Sequence, residues 1–331
     1  MKAAIVGLEG PELTPDEISL FRAMPPAGVI LFARNITGPR PLARLVGDLR
    51  EVLAPECVLM VDQEGGRVAR LRPPDWLGHP PAGQIGALHA ANPEAGIRAA
   101  WLTGALIGLD CAEAGFDVVC APVLDVFAPG GTEAIGDRSF GTTADQVIAL
   151  AQAMAEGLLS AGVQPVGKHA PGHGKSRLDS HLGLPRIGPD ADLAPDIAVF
   201  SALSTLPWMM TAHIIYAGLD NRRAATLSPT VIEGVIRGSI GFDGVLVSDD
   251  LAMGALSGPV AERVRGSLAA GCDLAMHCSG RLEHTSAVLA AASELSARAV
   301  ARMAAGRALA ERCRLQLDRA ALLADRAGLI G

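Results

Sequence analysis

"GVLVSDD", residues 244 to 250, is a short apolar run built around two valines and a leucine, opened by a glycine and closed by two carboxylates. A run with no polar alternation suits a strand buried on both faces, as in a parallel sheet covered by helices. Seven more runs of this kind recur along the chain: 3 to 8 "AAIVGL", 28 to 33 "GVILFA", 58 to 63 "VLMVDQ", 118 to 123 "VVCAPV", 163 to 168 "VQPVGK", 207 to 213 "PWMMTAH" and 272 to 278 "CDLAMHC". Between them lie Ala/Leu-rich stretches with helical spacing, among them 41 to 54, 94 to 115, 143 to 161, 229 to 238 and 259 to 270. Strand and helix alternate with no Ser/Gly linker, charge block or shift in composition. This pattern predicts an α/β protein, a (β/α)8 TIM barrel forming a single domain over 1 to 331, with a terminal helix from about 297 to 327. An open doubly wound sheet is the runner-up.

Half of the 331 residues are apolar, enough for a sizeable core, yet no apolar run approaches the roughly 18 residues a membrane span requires. The N-terminal "MKAAIVGLEGPEL" lacks a signal-peptide core and cleavage site, so the expected location is the cytoplasm. Six cysteines are scattered without a C-x-x-C pair, which fits reduced, mostly buried thiols. A net charge of -7 and no basic run argue against nucleic acid and anionic membranes as partners and favour a small molecule; oligomeric state is not legible.

In a barrel of this kind chemistry sits at the C-terminal ends of the strands. The polar outliers fall there: Asp62, Asp125, Lys168 and His169, His213, Asp249 and Asp250, and His277. Each alone would read as a cap or a satisfied core residue, but their convergence on one rim points to a site.

"KHAPGHGKSRLDSH", residues 168 to 181, follows the fifth strand. His169 and His173 stand four apart, a spacing that suggests two metal ligands on a helix face, but Pro171 and Gly172 between them make a helix improbable. In "DSH", residues two apart project to similar sides, so Asp179 is placed to hold one ring nitrogen of His181 and fix its tautomer. A histidine so held gives a proton to a leaving group and later takes one from water. The "SDD" carboxylates supply a nucleophile or base at the same mouth; the residues alone leave Asp249 and Asp250 equally placed.

Five motifs in order, "VDQEGGRVAR" (61 to 70), "APVLDV" (121 to 126), "GDRSFG" (136 to 141), "KHAPGHG" with "DSH", and "GFDGVLVSDDLAM" (241 to 253), resemble the family 3 glycoside hydrolases. Within that family they are most similar to the single-domain cytoplasmic β-N-acetylglucosaminidases of bacterial peptidoglycan recycling. The resemblance covers nearly the whole chain and implies a (β/α)8 barrel with Asp249 as nucleophile and His181, partnered by Asp179, as general acid/base. It implies sugar contacts from Asp62, Arg70, Arg138, Lys168 and His169, and calls for no metal or cofactor. The implied reaction is retaining removal of terminal non-reducing β-linked N-acetylglucosamine through a glycosyl-aspartate. The implied substrates are muropeptides in which this sugar is joined to anhydro-N-acetylmuramic acid.

Alternatives are a phosphorylase of the same family, a metal-dependent hydrolase on the same barrel, and a sugar-binding protein without turnover. On the plain structural reading Asp62 and Arg70 form a structural pair and Arg138 is a loop charge; His213 and His277 are left outside the site. Ala170 stands where the family often has a larger apolar residue. Aromatic residues are only 3% of the chain, with Trp76, Trp101, Trp208 and Tyr216 the main candidates, so stacking on a sugar face is expected to be limited and polar clamps to hold the ligand.

Overall fold

The computed structural model describes residues 1 to 330. Ten strands form: β1 (Lys2–Gly7), β2 (Pro26–Leu31), β3 (Val58–Val61), β4 (Val118–Val119), β5 (Gln164–Ala170), β6 (Arg186–Ile187), β7 (Trp208–Thr211), β8 (Ile215–Tyr216), β9 (Val245–Val247) and β10 (Ala275–His277). Eight of them make one all-parallel sheet in the order β10-β1-β2-β3-β4-β5-β7-β9, while β6 and β8 pair separately above it. The sheet closes on itself through a parallel bridge from Val247 to Leu274, where Ser248 donates its backbone N–H to the Leu274 carbonyl at 3.0 Å. The chain is therefore a (β/α)8 barrel, and the open-sheet reading falls.

The helices are α1 (Pro15–Ala23), α2 (Pro39–Val52), α3 (Ala82–Ala91), α4 (Pro93–Glu113), α5 (Ala144–Ser160), α6 (Ala194–Ala202), α7 (Val260–Ala270), α8 (Leu282–Ala291), α9 (Ala297–Cys313) and α10 (Arg319–Ile330), with a π-helical stretch over Thr230–Ser239 between β8 and β9. Helical chain thus follows every barrel strand. Strand residues alternate between two cores. Ile5, Val58, Met60, Val118, Val166, Trp208, Met210, Val245, Val247 and Met276 fill the barrel, while Ala4, Val6, Leu59, Val61, Val119 and Leu246 pack outward under the helices. With both faces covered by apolar neighbours, the strands carry the unbroken apolar runs seen in the sequence.

The period of two also decides what the strand tips present. Asp62 continues the inward set Val58 and Met60, Lys168 continues Gln164 and Val166, and Asp249 continues Val245 and Val247. The tail differs from the expected single helix. Residues 314 to 318 separate α9 from α10, and Asp318 restarts the helix by accepting the N–H groups of Ala320 and Ala321 at 2.9 and 3.2 Å. α10 then docks on α4 through Arg319, which pairs with Asp110 and Glu113. Five of the six cysteines are buried, and all six are free thiols.

Candidate active site

A cavity opens at the C-terminal end of the barrel. Of the residues singled out from sequence, Asp62, Arg70, Arg138, Lys168, His169, His181 and Asp249 all line it, and Asp179 stands behind His181.

Its polar wall is one network of ion pairs. Lys168 Nζ lies 3.0 Å from Asp62 Oδ1 and 2.6 Å from Glu64 Oε1. Arg70 pairs with Asp62 at 3.2 Å, and Arg138 grips Glu64 with two bonds of 2.8 Å. Burial alone would drive these carboxyls toward the neutral form. For Glu64, Arg138 and Lys168 outweigh it, and for Asp62, Lys168 and Arg70 do, so both stay below the usual carboxylate range. Burial likewise pulls Lys168 down, but Asp62 and Glu64 outweigh it and keep the ammonium charged. Arg138 is thus no free loop charge. Asp62 and Arg70 do form the pair that a structural reading anticipated, and they form it on the cavity wall. The turn that returns Arg70 to Asp62 relies on Gly65 and Gly66 at φ +100° and +54°, where an added Cβ on Gly65 would meet the Pro80 carbonyl at 2.4 Å.

Asp249 sits deeper. Its Oδ1 accepts the Asp250 N–H at 2.7 Å, and Oδ2 has no protein partner among the described residues. Burial works against its charge, but His169, His213, the Asp250 N–H and Lys168 together hold it below the usual carboxylate range. Asp250 differs in kind. Its Oδ1 accepts the N–H groups of Ala252 and Cys278, both at 2.9 Å, tying the tip of β9 to the tip of β10. Burial, aided by the charge of Asp249, pushes the Asp250 carboxyl up. Two adjacent aspartates that the sequence left equivalent are thus separated by environment.

At the mouth, Asp179 Oδ1 accepts both the backbone N–H of His181, at 2.8 Å, and a bond from its Nδ1 at 2.9 Å. Burial pushes Asp179 up, but the bonds and charge of His181 together outweigh it and hold the carboxyl low. With Nδ1 occupied, Nε2 is the ring atom left for a ligand, and the side chain is 67% exposed.

Several contributors were not singled out from sequence. Glu64 was legible in principle, since it lies two residues after Asp62 on the same side of the chain. Asp125, flagged only as a strand-tip outlier, is fully buried and accepts from His169 Nδ1 at 2.8 Å, from the His169 N–H and from the His173 N–H. It anchors the "KHAPGHG" loop. His213 is sealed between Thr226 Oγ1 at 2.8 Å and the Asp250 carbonyl at 3.0 Å, and so braces the chain just beyond β9; His277 turns away toward Ser279 and His284. His169 is on β5 and His173 in the loop beyond, so no helix face joins them. Among the described residues no three His, Cys, Asp or Glu side chains converge as a metal cage would require.

The four aromatic stacking candidates are displaced from the cavity. Trp208 plugs the barrel, donating Nε1–H to Gln164 at 2.9 Å, and Tyr216 is buried and donates to the Gly172 carbonyl. Trp101 lies under Arg98, and Trp76 borders a separate groove near α10. Phe32 is the aromatic ring that does line the cavity, with Arg34 and Arg70 about it at 5.0 and 5.3 Å. Ala170 fills a fully buried position in the core, so packing there is complete without a larger side chain.

A (β/α)8 barrel whose rim combines an inward carboxylate, a His–Asp couple and a wall of paired charges has the make-up of a barrel enzyme's active site. Residues 17–309 match the glycosyl hydrolase family 3 N-terminal domain, and the chain belongs to that family. It is 39% identical over 325 residues to a beta-hexosaminidase of Methylococcus capsulatus, covering 96% of this chain and 94% of that one. Among solved structures it is similar to NagZ from Neisseria gonorrhoeae in complex with N-trifluoroacetyl-D-glucosamine, at TM-score 0.86 and 30% identity over 100% of this chain and 98% of that one. It also resembles a family 3 beta-N-acetylglucosaminidase from a Paenibacillus, at TM-score 0.83 and 30% identity over 99% of this chain and 66% of that one. The chain is a glycoside hydrolase of the β-hexosaminidase, NagZ type.

Proposed function

We propose that the protein is a retaining exo-β-N-acetylglucosaminidase working through a glycosyl-aspartate. The observation that carries this reading is that Asp249, whose surroundings favour the carboxylate, and His181, held by Asp179, line one cavity. In the first step Asp249 Oδ2 attacks the anomeric carbon. The bond to the aglycone oxygen breaks, and that oxygen takes the proton of His181 Nε2. In the second step neutral His181 accepts a proton from water, the water oxygen bonds to the anomeric carbon, and Asp249 departs as carboxylate. Neither step calls on a Lewis acid.

Asp62, Arg70, Arg138, Lys168 and His169 then bind the sugar hydroxyls as a polar clamp, which suits a cavity with a single aromatic ring on its wall. The N-acetyl preference is supported by the sugar analogue bound to the Neisseria relative. The substrate class, muropeptides cleaved in the cytoplasm during cell-wall recycling, follows from the likeness of the motifs.

The test compares 4-nitrophenyl N-acetyl-β-glucosaminide with the matching glucoside and follows the first-formed sugar by NMR, with and without phosphate. The expected result is selective cleavage of the N-acetyl substrate to the β-anomer, unaffected by phosphate. First release of the α-anomer, equal cleavage of the glucoside, or a sugar phosphate as product would each overturn the reading.

A further inference from the structure

The histidine of the catalytic couple is largely exposed. His181 is 67% exposed in its side chain and the next residue, Leu182, is 80% exposed; the partner of the imidazole, Asp179, belongs to the same loop. The residue between the two is buried instead: Ser180 is 3% exposed. Its hydroxyl bonds His173 Nε2 at 3.2 Å, and its carbonyl accepts the N–H of Ala255 at 3.0 Å. His173 is itself fixed from below, since its backbone N–H is held by buried Asp125 at 2.6 Å. Beside this joint, the loop carrying Asp249 and the loop carrying His181 come into close approach at Gly254. A Cβ built there would stand 2.7 Å from the His181 carbonyl oxygen, closer than real Cβ atoms come to backbone.

We infer that His173, Ser180 and Gly254 form a seat that sets where His181 stands relative to Asp249, and that they are positioning residues for protonation of the leaving group. The inference rests on the acid/base role proposed above for His181. Ser180 couples the acid loop to the floor of the "KHAPGHG" segment through its side chain and to the nucleophile loop through its backbone. Gly254 lets the two loops close without a side chain between them. An acid must reach the aglycone oxygen while the nucleophile is at the anomeric carbon, and a displacement of about 1 Å costs on the order of 10²-fold in rate. Residues 177 to 184 are exposed or half-buried apart from Ser180, so this stretch takes its placement from these contacts.

The experiment uses the full chain and the variants Ser180→Ala, Gly254→Ala, His181→Ala and Ser180→Ala/His181→Ala. Each is assayed on the N-acetylglucosaminyl-anhydro-N-acetylmuramic acid disaccharide and, by stopped flow, on 2,4-dinitrophenyl N-acetyl-β-glucosaminide, whose aglycone departs without a proton. Ser180→Ala keeps the backbone bond to Ala255 and removes one neutral hydrogen bond. It should lower disaccharide turnover about five- to ten-fold. Gly254→Ala forces the loops apart and should lower it by about 10- to 100-fold. In both variants the burst of dinitrophenol should keep its wild-type rate.

In the His181→Ala background, Ser180→Ala should cost nothing further, because an effect exerted through His181 disappears with it. An undiminished additional loss in the double variant, equal losses on the two substrates, or no loss in either single variant would overturn the seat. If His181→Ala itself lost both substrates equally, the acid/base reading would fail instead, and the two failures are told apart by that one reference variant.

Discussion

Replacing Glu64 by Gln tests the charge network with little change of shape. Glu64 is 7% exposed; its Oε1 receives Lys168 at 2.6 Å and one arm of Arg138 at 2.8 Å, while Oε2 receives the Arg138 Nε at 2.8 Å. A glutamine supplies one acceptor oxygen and turns an N–H₂ toward a guanidinium. It therefore loses the charge and at least one of the three bonds. Breaking one partner out of a buried ion pair costs about 3–5 kcal/mol. Here Lys168 keeps Asp62 at 3.0 Å and Arg138 keeps the Ala134 carbonyl at 2.8 Å, so the low end of that range, about 3 kcal/mol, is expected.

The pH dependence follows from the depressed carboxyl of Glu64. Its stabilisation is complete above the unfolded carboxyl range, about pH 4.3, and is lost only as pH falls through the still lower folded value. The gap between wild type and Glu64→Gln should thus be constant from about pH 5 upward and narrow in strong acid. Urea unfolding followed by circular dichroism at several pH values measures the gap, and steady-state kinetics on the aryl substrate measure the site. KM should rise more than kcat falls, because Lys168 and Arg138 lose their fixed positions in the sugar clamp. A stability loss under about 1 kcal/mol with KM unchanged would refute the reasoning, since a buried pair of this geometry cannot be broken so cheaply.

Asp250→Ala should act on the fold, removing the acceptor of two backbone N–H groups at a cost of roughly 1–3 kcal/mol for each group left unsatisfied; a lowered melting temperature with residual turnover is the expected outcome, and full stability would refute it. His181→Ala should slow disaccharide cleavage by about 10²- to 10⁴-fold, and Asp179→Ala by less, because the imidazole remains and loses only its orienting partner; equal losses would mean that Asp179 does more than orient. Activity should survive dialysis against EDTA, as neither step uses a Lewis acid; loss restored by zinc would contradict the mechanism.

The barrel was legible because burying a parallel strand on both faces forces a distinctive run of residues, and every one of the eight runs contains or overlaps a barrel strand. Their ends were less so. The run 118 to 123 yields only Val118–Val119 as regular strand, because Ala121 turns its N–H back to the Val119 carbonyl at 2.8 Å and Pro122 after it has none to offer. The tail was read as one helix because the Ala/Arg/Leu composition runs across 314 to 318, although Asp318 is an N-cap signal in plain view. At the site, the two-residue spacing within one loop was enough to place Asp179 beside His181. Asp249 and Asp250 could not be separated, because what distinguishes them is the Cys278 N–H arriving from β10. Glu64 and Asp125 escaped for the same reason, since their partners lie 74 and 44 residues away in the chain. The low aromatic content already pointed to limited stacking, and none of the four large rings lines the cavity, Trp208 filling the barrel interior instead.

The central claim is that Asp249 becomes covalently attached to the sugar. In His181→Ala, 2,4-dinitrophenyl N-acetyl-β-glucosaminide should still load the enzyme, because its leaving group needs no proton, while the second step stalls for want of a base. Acid quenching within the burst, proteolysis and tandem mass spectrometry of the peptide spanning residues 244 to 256 locate the adduct. The account predicts an N-acetylhexosamine on Asp249. An adduct on Asp250, or dinitrophenol released in a burst with every carboxylate of that peptide unmodified, would contradict it.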